Sequence, residues 1–187
     1  MRNLLTVISA FISLQCSAQF ATSTLPPLDK SPMDISYYPV NYPILKIQGK
    51  ITDPLGVRLI YSRPQLNGRR AFGELRELGK LWRLGANEAT EIEFYRNIKL
   101  AGKVVKKGRY TLYAIPNAGQ WTIILNRDID TWGDFKYDES KDVLRTNVFV
   151  AKNEITEVLT MIFEKSTSGA NLLIYWDDEK VTLPIVF

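Results

Sequence analysis

The chain has 187 residues, 45% of them hydrophobic and 24% charged, with a formal net charge of +4. That is the size and balance of one globular domain able to bury its own core. It holds no histidine and one cysteine, Cys16, which rules out Ser-His-Asp and Cys-His nucleophilic chemistry and any histidine-ligated zinc or iron site.

The first element is a targeting segment. Arg2 supplies a positive start, "LLTVISAFISL" is an apolar run too short to span a bilayer, and "CSA" offers small residues for cleavage after Ala18. Residues 1–18 therefore read as a signal peptide, and the chain as exported to the periplasm or secreted. The alternative is lipidation at Cys16, with Gln15 bulkier than the small residue that usually precedes a lipidated cysteine. On the first reading the mature chain has no thiol and no disulfide, so its apolar core must hold it together. No later stretch is apolar for long enough to cross a membrane. The small basic excess is scattered, and its densest run, "KVVKKGR" at 103–109, reads as a hairpin turn. Nucleic acid is not an expected partner.

Residues 19–43 form a proline-rich arm. Five of the nine prolines lie there, namely Pro26, Pro27, Pro32, Pro39 and Pro43, and each fixes φ and pushes its predecessor towards an extended conformation. "FATSTLPPLDKSP" reads as a tether. "MDISYYPVNYP" is too aromatic for a solvated linker, so Tyr37, Tyr38 and Tyr42 are expected to lie along a sheet edge or groove of the domain.

From residue 44 the period is two. "ILKIQGK" and "VRLIYSR" read as a first strand pair, with Val57, Leu59 and Tyr61 on one face. "EIEFYRNI", "RYTLYAI", "WTIILN", "VLRTNVFV", "EVLTMIFE", "ANLLIYW" and "KVTLPIVF" follow. Turn chemistry separates several of them, at Asp53-Pro54-Leu55-Gly56, Ala101-Gly102-Lys103, Pro116-Asn117-Ala118-Gly119, Ser168-Gly169-Ala170 and Asp177-Asp178-Glu179. Pro184 points to an edge position for the last strand. "FGELRELGKLW", with Phe72, Leu75 and Leu78 three apart, has one or two helical turns at most. The sum is an all-β fold over residues 44–187, a single antiparallel β-sandwich, jelly-roll-like or barrel-like. Two long loops interrupt it, from Pro64 to about Thr90 and from Arg127 to Asp142.

Those loops carry the candidate site. "LWRLGANEAT" packs Trp82, Arg83, Asn87 and Glu88 close together at the mouth of a strand. Functionally, Trp82 would stack on a flat ligand, Asn87 would fix an amide or hydroxyl, and Glu88 would act as acid, base or acceptor. Structurally, an Arg83–Glu88 pair and a permissive Gly85 would fix the loop. Arg63, ending its strand before Pro64, and Trp132 in the second loop are expected to join this set at one end of the sandwich, with Arg69 and Arg70 as further anion donors. Asp128, Asp130, Asp134 and Asp138 recur at short intervals, but not in the calcium-loop pattern; they read as a solvated acidic loop, and no metal or other cofactor is called for.

"YSRPQLNGRRAFGEL", "GKLWRLGANEAT", "KKGRYTLYAIPNAGQWTIILN", "TWGDFKY" and "KDVLR" resemble, in order, the blocks of an exported bacterial family catalogued as a domain of unknown function, number 2911. The resemblance covers roughly residues 30–187. It implies export and an intact fold, and supplies no mechanism. The reading is therefore an exported non-catalytic binding or envelope module for a polar small molecule or glycan. Its rivals are a carboxylate hydrolase using Glu88 and a second acid across one cleft, and a purely structural domain whose polar set is shut off from solvent.

Overall fold

The structure is a computed structural model and describes residues 25–187. The expected signal peptide, Cys16 and the first residues of the expected arm lie outside the described residues. Nine strands form one open antiparallel sheet: β1 (Met33–Tyr38), β2 (Val57–Ser62), β3 (Glu91–Phe94), β4 (Ile98–Leu100), β5 (Lys103–Val105), β6 (Gly108–Asn117), β7 (Gln120–Asn126), β8 (Asp142–Ser166) and β9 (Gly169–Val186). Their order is β1-β2-β3-β6-β7-β8-β9-β4-β5.

The long strands β8 and β9 fold this sheet over on itself. The first half of β8 pairs with β7, from Gln120↔Phe149 to Asn126↔Asp142. The rest pairs with β9, out to Ser166↔Gly169, through register irregularities between Lys152 and Thr160. Bulges of this kind bend a strand and raise its twist, so one chain segment serves two layers. The apolar faces of both layers meet in one core. Val57, Leu59 and Tyr61 come from β2, Trp121, Ile123 and Leu125 from β7, Leu159, Met161 and Phe163 from β8, and Leu172, Ile174 and Trp176 from β9. At its centre the Trp82 and Trp176 rings stack at 5.4 Å, with Trp121 and Phe72 edge-on to Trp82.

The opposite seam is nearly shut. Leu66 N donates to Glu157 O at 3.0 Å and Leu159 N to Pro64 O at 3.0 Å, and the buried Tyr61 hydroxyl accepts from Met161 N at 3.0 Å. The strand β1 from the arm covers this edge, pairing along β2 from Met33↔Ser62 to Tyr38↔Val57.

The structure corrects several local expectations. Ile44 to Ile47, expected to begin a strand, belong instead to a six-residue helix, α1 (Tyr42–Ile47). Pro43 at its first turn presets the helical φ, and no residue of α1 is buried, so no core contact enforces the period of two. "VLRTNVFV" and "EVLTMIFE" are parts of one strand, as are "ANLLIYW" and "KVTLPIVF". Asp177 has φ 55 within β9 and marks an irregularity in the strand, not a turn. "KVVKKGR" is not a hairpin: β5 pairs with β4, β6 with β3, and Lys106–Lys107 cross between the layers. "FGELRELGKLW" forms turns and no helix. Pro184 lies between Val181, paired to β8, and Ile185, paired to β4, in a stretch of β9 that needs no ladder donor.

Candidate functional site

Both long loops cover the outer face of β6 and β7. Residues 79–82 run along β6 beyond the end of β3, with Trp82 N donating to Ala114 O at 2.7 Å and Ala114 N to Trp82 O at 2.8 Å. Beneath them Ala89, Tyr113 and Ile124 form a second small apolar cluster. The two loops are joined backbone to backbone. Glu88 and Trp132 form an antiparallel bridge, flanked by Ala89 N to Thr131 O at 3.0 Å and Gly133 N to Asn87 O at 2.9 Å.

The turn between Trp82 and Thr90 is strained where it need not hold glycine. Leu84 has φ 54 and Asn87 φ 59, a region costing a non-glycine residue on the order of 1–3 kcal/mol. Thr90 holds the first in place, its Oγ1 donating to Leu84 O at 2.6 Å. Gly85 is required for another reason. A Cβ there would sit 2.6 Å from Ser62 Oγ, and that buried hydroxyl already bonds Ala86 N at 2.6 Å and Ala86 O at 2.5 Å.

The six residues singled out in the sequence divide among five environments. Trp82 is wholly buried; its Nε1 donates to Gly85 O at 3.0 Å, and aromatic neighbours pack against its ring. Arg63 locks the seam, donating to Asp34 at 2.9 Å, Thr160 Oγ1 at 2.9 Å and Leu159 O at 3.2 Å. Asn87 reaches the arm, its Nδ2 donating to Asp29 Oδ2 at 2.6 Å. Arg83 forms no ion pair with Glu88; its electrostatic neighbour is Asp134. Glu88 and Trp132 alone share a solvent-accessible groove. Of the further anion donors, Arg70 is bound at 3.0 Å to both Asp177 and Asp178.

That groove has two chambers with Trp132 as their common wall. One, of about 350 Å³, is lined by Met33, Ile60, Glu88, Glu91 and Asp130. The other, of about 490 Å³, is lined by Tyr113, Asp128, Asp130, Phe135 and Tyr137. Trp132 is 61% exposed and Phe135 81%, and neither ring stacks on another aromatic among the described residues. The groove's charges are fixed in part. Arg109 binds Glu91 and Asp130, both at 2.6 Å, and is raised above its usual value by these hydrogen bonds. Glu91 also accepts from Asp130 N at 2.7 Å. Tyr137 donates to Asp142 at 2.6 Å and accepts from Arg145 at 2.6 Å; burial, then the Asp142 carboxylate, pushes its hydroxyl up to about 12. The Glu88 carboxylate, exposed, has no partner among the described residues. The arrangement offers an open aromatic face, one free carboxylate and a rim of preset hydrogen-bonding groups.

Glu91, Asp130 and Arg109 were not legible as members of this groove. Glu91 and Arg109 meet across the β3–β6 pairing, and Asp130 joins them only because its loop turns back at φ 58. Among the described residues no helix is long and apolar enough to cross a membrane, and no group of three or more His, Cys, Asp or Glu is placed to hold a metal ion.

In comparison with known families, the family described as "Protein of unknown function (DUF2911)" matches residues 43–185. The match spans most of the chain, so the chain belongs to that family. No curated protein and no solved structure matches it.

Proposed function

We propose that this DUF2911 protein is an exported, non-catalytic module that binds a polar small molecule or glycan in the groove beside Trp132. The carrying observation is that Trp132 stands 61% exposed between two cavities while its neighbours are held by hydrogen bonds. A large aromatic face kept in water on an ordered loop fits a partner that covers it. The apolar face of a sugar ring matches the indole, and the Glu88 carboxylate is free to accept from its hydroxyls. The hydrolase reading has less support, because Glu91 and Asp130, the acids that share the chamber with Glu88, are both committed to Arg109. The scaffold reading expects the polar set to be shut off from solvent; the open groove speaks against it.

The test uses the chain's own fluorescence. Trp82, Trp121 and Trp176 are at most 2% exposed, so acrylamide quenching reports Trp132 selectively. Titration with neutral oligosaccharides, chitotetraose and cellotetraose first, is expected to protect this residue and shift emission to the blue. Trp132→Ala abolishes the response and Glu88→Gln weakens binding roughly tenfold, the scale of a lost hydrogen bond to a charged group. If no neutral sugar shields Trp132 at millimolar concentration, the glycan reading is wrong.

A further inference from the structure

A second cavity, of about 240 Å³, lies apart from the Trp132 groove. Lys30, Arg69, Arg76 and Arg83 line it together with Leu75 and Trp176, and no carboxylate belongs to its lining. Four buried side-chain nitrogens among the described residues lack a hydrogen-bond partner: Arg58 Nε, Arg76 Nε, Arg83 Nε and Trp176 Nε1. Three of these four belong to residues of this cavity. Trp176 is only 2% exposed, so its N–H has little access to bulk water.

The charge is as unbalanced as the hydrogen bonding. The Arg83 side chain has no ion pair or hydrogen bond among the described residues, and its one electrostatic counter-charge, Asp134, is shared with Arg76. Arg76 reaches Asp134 at 3.5 Å, the longest ion pair in the described chain, and Leu81 O at 3.3 Å. Burial holds both guanidinium groups below their ordinary value, and Arg83 adds repulsion at Arg76. Proteins rarely bury donors without acceptors, or cations without counter-charge. Residues 1–24 contain no Asp or Glu, so none of their side chains can supply a further anion. A water molecule would accept hydrogen bonds there but would leave two guanidinium charges facing the single carboxylate of Asp134.

We propose that this cavity is an oxyanion-binding site for a small organic carboxylate or phosphate monoester. The guanidinium groups of Arg76 and Arg83 bind the oxyanion, since planar paired donors suit carboxylate and phosphate oxygens. The Trp176 N–H supplies a third, neutral donor, and Lys30 and Arg69 add charge at the rim. Leu75 and the Trp176 ring give an apolar wall for the body of the ligand. The site does not depend on the groove reading, since it shares no lining residue with either chamber.

The experiment is calorimetric and thermal-shift titration of the full chain with inorganic phosphate, glucose 6-phosphate and glucuronate, each against potassium chloride of equal ionic strength. At least one is expected to bind and raise Tm beyond the chloride control. A preference for glucose 6-phosphate assigns a phosphate monoester, and a preference for glucuronate assigns a carboxylate. Arg83→Met is expected to lose at least tenfold in affinity. Its Tm without ligand should equal or exceed that of the parent, because it removes a half-buried cation whose side chain makes no ion pair or hydrogen bond and which repels Arg76. Should Arg83→Met fail to fold, Arg69→Met at the exposed rim is expected to lose threefold or more. Lys99→Gln, distant on β4, keeps full binding. The proposal is overturned if no probe exceeds the chloride control, or if binding survives both arginine substitutions.

Discussion

Trp82 and Trp132 sit in the two long loops only fifty positions apart, yet the fold uses them in opposite ways. Trp82 is sealed among Phe72, Trp121 and Trp176, and its one polar atom is bonded to Gly85 O. Trp132 stands in water between two cavities. Both loops are anchored by the same means, backbone pairing onto a neighbour: Trp82 to Ala114 of β6, and Trp132 to Glu88. The difference comes from which layer lies behind the anchored residue. Ala114 presents Trp82 to the interior between the two layers, whereas the Glu88–Trp132 bridge lies on the outer face, where no further layer follows. A loop tryptophan therefore says little about function until the partner of its backbone is known.

The contrast is broken most severely by Trp82→Ala. Truncating a wholly buried indole leaves a cavity in the aromatic centre, and a loss of roughly 3–5 kcal/mol is expected, measured by urea denaturation with the slope of the transition unchanged. If that variant is as stable as the parent, the aromatic cluster is not the centre of the core.

A smaller effect, and one with a pH signature, is expected at Glu179, which caps the same cluster by accepting from Trp121 Nε1 at 3.0 Å. Burial pushes its carboxyl above the ordinary 4.5, and the Trp121 bond and Lys152 oppose the shift, while Asp178 and Asp177 add to it. An acid raised in the folded state keeps its proton where the unfolded chain has lost it, so stability falls as pH rises from about 4.5 through the folded value. Glu179→Gln keeps an acceptor for Trp121 and removes the titration. Thermal melts across this window should show a flatter profile and a higher Tm at pH 7 for the variant; parallel profiles for the two proteins contradict the assignment.

The smallest change belongs to Trp132→Ala, whose stability is expected to stay within about 0.5 kcal/mol of the parent by the same denaturation measurement. A large loss there would make Trp132 a packing residue and remove the contrast.

The strands were legible where burial repeats every second residue. Val57, Leu59 and Tyr61, and Trp121, Ile123 and Leu125, all face the core as their spacing predicts. Legibility failed where pairing, not burial, sets the structure. Residues 151–155 of β8 are all exposed, with Lys152, Asn153 and Glu154 in a polar run that looks like a break, yet the strand runs through them. α1 looks like a strand because Leu45, Lys46, Ile47 and Gln48 alternate in polarity, yet nothing in the core holds them to it. Four of the six candidate residues are kept apart from the groove for a related reason. Trp82, Arg83 and Leu84 alternate inward, outward and inward, so adjacency in the chain separated Trp82 from Arg83. The pairing of the two loops was expected, and Glu88 meets Trp132. The cluster around Arg83 draws on Lys30, Arg76 and Trp176, and no local pattern links positions so far apart.

The double membership of β8 also bears on the order of assembly. Its two halves each belong to a neighbouring hairpin partner, β7 or β9, and such short-range pairings can form early and cheaply in entropy. The seam that shuts the fold instead joins positions about a hundred residues apart, as in Leu159 with Pro64 and Met161 with Tyr61. Those late contacts pass through Arg63 and the root of the loop that carries the arginine cavity. The chain thus finishes the walls of that cavity only when its most distant segments meet, and an opening of the seam would loosen the cavity before the central hairpins come apart.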